Sequence, residues 1–205
     1  MKPLFPIFLK LDGRKVLVVG AGTVAEQKIA GLLDTGAEIR VIALHATEIV
    51  REWAQAGKIH LAERRFESRD LDGVCIVIVA TSDRELNQRV YQEARGLGIL
   101  CNVVDVPDKC DFYYGSVVKR GDLQIAISTS GQSPSLAQKI RVQLEQQFGP
   151  GYEAWVAELG QVRREILDSD LHPARKRDLL QSLASRAAFE SELADSDSNT
   201  RGGAA

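Results

Sequence analysis

The chain has few of the residues that hold a metal or a disulfide framework. Its 205 residues include three cysteines, Cys75, Cys101 and Cys110, and three histidines, His45, His60 and His172. No two cysteines form a C-x-x-C pair and their number is odd, so neither a disulfide scaffold nor a zinc cage is implied. Cys75 and Cys101 lie within apolar runs and are expected to be buried small hydrophobes. An excess of one charge is lacking too, since 28 acidic against 26 basic residues leave a net charge of −2. Such a chain has no basic field for nucleic acid or an anionic membrane, and an anionic ligand must be captured locally. No apolar run approaches the ~18 residues of a membrane span, and residues 1–10, broken by Pro3 and Pro6, do not make a secretory signal. The cytoplasm is the expected compartment.

What is present is ordinary for a globular protein: 44% apolar and 26% charged residues, with length for one substantial core and a smaller appended unit. Continuous apolar stretches at 16–19, 39–43, 74–80 and 99–104 read as strands covered on both faces in a parallel sheet. Segments 24–34, 48–56 and 85–97 between them read as helices, the first stopped at Gly36 and the last capped by Ser82-Asp83, and 58–66 holds a short strand. This alternation predicts an α/β fold, a Rossmann-type doubly wound parallel sheet, over residues 1–112. Beyond Phe112 the rhythm changes to a hairpin, 113–118 and 123–127 around Lys119-Arg120-Gly121-Asp122. A helix follows with Ser133 as cap, Pro134 at its first position, and Leu136, Ile140 and Leu144 on one face. Together these make a small α+β segment over 113–149. Gly149-Pro150-Gly151 breaks the chain. A helical domain is expected over 150–190, with Trp155, Leu159, Val162 and Ile166 on one helix and Leu179, Leu180, Leu183 and Ala187 on another. Residues 191–205 are polar, without an apolar period, and are expected to be disordered.

Gly20-Ala21-Gly22-Thr23-Val24-Ala25 is a G-x-G-x-x-A turn between the first strand and the first helix. Gly20 serves the tight turn, Gly22 lets a pyrophosphate reach the helix end, and Ala25 allows close helix–strand packing. The second strand ends Ala43-Leu44-His45, without the acid that usually binds the adenosine ribose and without an arginine that would clearly select a 2′-phosphate, which leaves NAD against NADP open. His45 either contacts the adenine side of a cofactor or is an exposed loop residue. Thr81, Asn102 and Asp105 follow the later strands and would converge at the nicotinamide end, because ligands of open parallel sheets lie beyond the strands' carboxyl ends. Asp105 is best placed for proton chemistry; the other reading is a loop cap through an Asx-type bond. The loop containing Ser128, Thr129, Ser130 and Ser133 offers hydroxyls and helix amides to carboxylates, with Lys119, Arg120, Lys139 and Arg141 nearby in sequence. It reads equally as a loop that only caps its helix.

As a set, these residues resemble the precorrin-2 dehydrogenase/sirohydrochlorin ferrochelatase family, which also forms the N-terminal module of siroheme synthases. The resemblance rests on Phe5-Pro6-Ile7-Phe8-Leu9, the glycine turn, Asn102-Val103-Val104-Asp105, Cys110-Asp111-Phe112, and the two runs Ile125-Ala126-Ile127-Ser128-Thr129 and Ser133-Pro134-Ser135-Leu136-Ala137. It covers about residues 3–150 and weakens over the C-terminal helices. It implies NAD-dependent oxidation of precorrin-2, a tetrapyrrole, to sirohydrochlorin, and in some members Fe2+ insertion to give siroheme. It also implies a homodimer that exchanges the segment 113–149, and a C-terminal helical domain closing the site. By matching positions, Gly22, Thr23 and Val24 would hold the pyrophosphate, Leu44 and His45 the adenosine end, and Asp105 would serve both reactions. Iron would pass through as a substrate, Asp105 at most a transient ligand, with no permanent metal site. The chain departs from the family where Gly115-Ser116 replaces Pro-Ala and where Ser130 replaces glycine. The competing expectation is a module that senses NAD(H) without turnover.

Overall fold

In the computed structural model, residues 4–185 and Phe189 are described. The chain divides into two units, Met1–Tyr114 and Gly115–Ala205. The apolar runs of the first unit become strands because their side chains alternate between two covered faces. Five form, β1 (Lys15–Val19), β2 (Glu38–Ala43), β3 (His60–Glu63), β4 (Val74–Val79) and β5 (Leu100–Val103), in one parallel sheet ordered β3-β2-β1-β4-β5. Val16 and Val18 face one layer with Val41, Ile76 and Ile78, where α1 (Thr23–Ala30) adds Ala25 and Ile29 and α2 (Glu48–Gln55) adds Val50. Leu17 and Val19 face the other with Val77 and Val79, where α3 (Arg84–Gly96) adds Val90 and Ala94. Two helical layers around a parallel sheet make the Rossmann-type fold expected. Strand order reverses between β1 and β4, which opens a crevice at their carboxyl ends.

Local chemistry moves some boundaries. The first helix stops at Ala30 rather than continuing to Asp34, because residues beyond Gly31 tighten into i→i+3 bonds. Leu32 N donates to Ile29 O, and both the amide and the hydroxyl of Thr35 donate to Leu32 O. Cys101 is buried as expected, whereas Cys75 is only half-buried against the α1/α2 layer. At the outer edge of β5 the returning chain replaces a further strand. Cys101 N donates to Asp111 Oδ2 at 2.9 Å and Asp111 N donates to Cys101 O at 2.8 Å. The buried Asn102 donates from Nδ2 to Phe112 O at 2.7 Å.

In the second unit β6 (Ser116–Arg120) and β7 (Leu123–Ile127) form an antiparallel hairpin. Its turn is two residues, not four: Lys119 and Arg120 stay in the strand, and Gly121 at φ +55° supplies the left-handed step. α4 (Pro134–Gln147) starts as expected, with Ser133 Oγ accepting from Leu136 N. Arg120 donates from Nε to Phe148 O at 2.9 Å, satisfying a carbonyl where α4 ends. After the Gly149-Pro150-Gly151 break come α5 (Tyr152–Asp168) and α6 (Pro173–Leu183), with Phe148, Tyr152 and Trp155 stacked edge-on, centroids 5.1 and 5.5 Å apart. Ala187 and residues 191–205 lie outside the described residues. No helix among the described residues is long and apolar enough to cross a membrane.

Candidate functional site

The glycine turn separates a fold-forming glycine from a ligand-facing one. Gly20 sits at φ +108°, its amide donating to Ile42 O at 2.8 Å, and a Cβ there would lie 2.3 Å from the Ala80 carbonyl oxygen. Only glycine fits. Gly22 is the N-cap of α1, with ordinary extended backbone and no side chain to cap the helix amides. Beyond its two chain neighbours, a Cβ at Gly22 would have no protein atom within 4 Å. The helix therefore presents its first-turn amides and its positive end through open space, a cradle that fits the pyrophosphate of a dinucleotide. Ala25 is fully buried against the sheet and brings α1 close to β1.

A cleft of about 640 Å³ opens at this turn. Gly20, Ala21 and Gly22 form its floor, and Ala43, Leu44 and His45 leave β2 along one wall. The turn after β4 gives the opposite wall, with Thr81, Ser82 and Asp83. Thr81 Oγ1 donates to Asn87 Oδ1 at 2.5 Å and accepts from Asp83 N at 3.2 Å, so this hydroxyl holds the turn. Asp83 Oδ1 accepts from Glu85 N and Leu86 N, each at 3.0 Å, and caps α3. Gly20, Gly22, Leu44, His45 and Thr81 thus share one cleft, while Thr23 and Val24 continue from it as the exposed first turn of α1.

Arg64, Arg65 and Phe66, which also line the cleft, were not singled out by the sequence reading. β2 and β3 are parallel with Ala43 opposite Glu63, so the residues leaving β3 run beside those leaving β2. That Lys58–Phe66 would hold a strand was legible, but its register was not. Arg64 pairs with the buried Asp70 through Nη1 at 2.8 Å and Nη2 at 2.6 Å. Burial opposes the charge on Asp70, but the Arg64 bonds and the Glu67 amide outweigh it and hold its pKa below the ordinary carboxylate value.

Asp105 and Asn102 stand apart from the glycine cleft, at the end of β5 on the sheet's edge. Asp105 is an exposed turn residue in the left-handed region, φ +62°, and its carboxylate accepts no hydrogen bond from any described residue. The Asx-type cap is therefore absent. Nearby, burial pushes the Cys101 thiol up to about 12, with Asp111 adding to the shift, and burial also raises that of Cys110.

In the second unit Ser128 Oγ accepts from Ser130 N and Thr129 Oγ1 from Ser133 N, both at 3.1 Å, and Ser133 Oγ caps α4. Each of these three hydroxyls keeps its proton to donate. Ser130 holds φ +52° and Gly131 φ +78°, two successive left-handed residues. Of the neighbouring bases, Arg141 is paired with Glu145 and Arg120 with main-chain carbonyls, so neither supplies an uncommitted charge to the loop.

Comparison with known proteins fits this geometry. A family model for NAD(P)-binding proteins matches residues 7–116, and one described as "Sirohaem biosynthesis protein central" matches 120–147. A siroheme synthase of Nitrosococcus oceani is 44% identical over 140 residues, 68% of this chain and 30% of that protein. Siroheme synthase 1 of Pectobacterium atrosepticum is 41% identical over 174 residues, 84% of this chain and 36% of that protein. The chain thus spans about a third of the length of the curated relatives it matches. A solved structure, "SirC, precorrin-2 dehydrogenase", superposes with a TM-score of 0.78 at 29% identity, covering 91% of this chain and 92% of that one. With more than half its length matched by the NAD(P)-binding model and its central segment by the sirohaem one, the chain belongs to the NAD(P)-binding family of the precorrin-2 dehydrogenases and siroheme synthases.

Proposed function

We propose that the chain is a dehydrogenase that oxidises precorrin-2 to sirohydrochlorin with NAD. The observation that carries this reading is the side-chain-free cradle at the head of α1, in a chain that superposes over 91% of its length on a precorrin-2 dehydrogenase. Gly20 shapes the turn from which Gly22, Thr23 and Val24 hold the pyrophosphate against the α1 amides, Leu44 and His45 border the adenosine, Thr81 flanks the far end, and Asn102 supports that end from β5 through its bond to Phe112 O. Bound there, the nicotinamide ring supplies the hydride acceptor. Asp105 takes the proton that substrate loses alongside the hydride, and its exposed carboxylate has no internal hydrogen bond to give up. Loss of one hydride and one proton leaves one new double bond, so charge and atoms balance.

Ser128, Thr129, Ser130 and Ser133 donate hydroxyl protons to carboxylates of the tetrapyrrole. Where Fe2+ enters as a second substrate it displaces two pyrrole protons, which Asp105 takes one at a time and passes to solvent. The working unit in this reading is a homodimer that exchanges the segment 113–149, to which Val117, Leu136 and Val142, 43–49% exposed in the single chain, contribute apolar surface.

Anaerobic incubation with precorrin-2 and NAD tests the reading, followed by addition of Fe2+ or Co2+. One NADH should form per sirohydrochlorin, and Asp105→Ala should abolish turnover while NAD still binds. NAD binding without any turnover by wild type would overturn the reading in favour of an NAD(H)-sensing module. Full activity in the Asp105 variant would require another base.

A further inference from the structure

Two of the three arginines lining the cleft are committed within the chain. Arg64 grips Asp70 through both terminal nitrogens, and Arg89 donates to Glu93 and Ser68 at 2.8 and 3.0 Å. Arg65 is exposed, and its side chain has neither an ion pair nor a hydrogen bond to any described residue. Register fixes its place: with Ala43 opposite Glu63, Leu44 and His45 leave β2 beside Arg64 and Arg65 leaving β3. In a dinucleotide fold the end of β2 is where the adenosine ribose lies, and an acid there accepts from the 2′-hydroxyl and repels a 2′-phosphate. Here that position is Leu44-His45. The acid nearest in register, Glu63, is held by Arg51 through bonds of 2.7 and 3.3 Å. The repelling charge is missing, and an uncommitted guanidinium stands in its neighbourhood, with the planar fork that suits a phosphate.

Resting on the reading of the cleft as a nicotinamide-dinucleotide site, we propose that Arg65 is a specificity-determining residue that pairs with a 2′-phosphate, so that the cleft takes NADP(H) as well as NAD(H). Arg64 does not substitute for it, because turning toward the ligand would strand the buried Asp70 carboxylate. His45 lies on the same wall and completes the polar surroundings of the ribose edge.

Calorimetric titration of the full chain with NAD and with NADP tests this without reference to turnover. Wild type should bind the two within about tenfold of each other, and Arg65→Gln should weaken NADP about tenfold while leaving NAD within about twofold. Arg65→Lys, which keeps the charge, should recover part of the loss. In wild type 2′,5′-ADP should displace NAD better than 5′-ADP, and the advantage should shrink as salt rises from about 50 to about 300 mM. Unchanged NAD binding by the variants is the folding control. The proposal is overturned if NADP binds the Gln variant as it binds wild type, or if wild type binds NAD and not NADP. If neither dinucleotide binds wild type, the cofactor reading falls and takes this proposal with it.

Discussion

Replacing each turn glycine by alanine separates what the fold needs from what the ligand needs. Gly20→Ala places a Cβ 2.3 Å from the oxygen and 2.8 Å from the carbon of the Ala80 carbonyl, main-chain atoms just beyond β4. Relief requires the backbone to move, and overpacking of this kind costs about 1–3 kcal/mol. Holding alanine at φ +108° adds about 1–3 kcal/mol of backbone strain. The sum, about 2–6 kcal/mol, is a large share of the ~5–15 kcal/mol that stabilises a domain. It should lower the melting temperature by at least about 4 °C. Gly22→Ala meets no protein atom and keeps an ordinary φ of −85°. Its poorer N-cap is partly offset by the unfolded-chain entropy alanine removes, so stability should stay within about 1 kcal/mol of wild type. The new methyl nevertheless occupies the space through which a pyrophosphate reaches the α1 amides. Losing such charge-assisted bonds costs about 1.5–3 kcal/mol, roughly a ten- to hundredfold rise in Kd. Thermal melts by circular dichroism and calorimetric titration with NAD read the two effects separately. Gly22→Ala with wild-type affinity, or Gly20→Ala with a wild-type melt, would refute the division of labour.

Asp70→Asn should cost about 1–2 kcal/mol at neutral pH by leaving a buried bidentate site half-matched. Because the folded pKa of Asp70 is lowered, its contribution is complete above the unfolded value of about 3.9 and fades as pH falls through the folded one. The gap between wild type and variant in chemical denaturation should therefore close in acid; a gap constant down to low pH would contradict the assignment. Brief alkylation at about pH 8 should leave Cys101 and Cys110 unmodified in the native chain, since burial keeps both as thiols; rapid labelling of either by mass spectrometry would count against it. Ser130→Gly should raise stability by about 0.5–1 kcal/mol by relieving a left-handed serine; a lower melting temperature would show that the hydroxyl does more than the backbone geometry implies.

Strands β1, β2, β4 and β5 were legible because a sheet covered on both faces writes itself as uninterrupted apolar runs, and the glycine turn because its requirements are local. The early end of α1 was not, since Leu32 and Leu33 keep the helical period while Thr35 redirects the hydrogen bonds. The hairpin turn was overestimated because one left-handed glycine, Gly121, suffices where four turn-like residues stood in sequence. Arg65 escaped notice for a non-local reason: its arrival at the cleft depends on how β3 registers against β2, some twenty residues away in the chain. Proximity in sequence misled in the other direction at Arg120 and Arg141, which lie near the hydroxyl loop yet are occupied by carbonyls and by Glu145.

The return of the chain along β5 has a consequence for the stretch that carries Asp105. Cys101, Asn102, Asp111 and Phe112 lace that return to the edge strand, which occupies main-chain groups that a further strand would need. The same lacing fixes the point of departure toward Gly115 and leaves the short stretch between, which carries Asp105, clamped at both ends like a string between two pegs. Loosening Asn102 or Asp111 would thus detune the position of Asp105 without touching it.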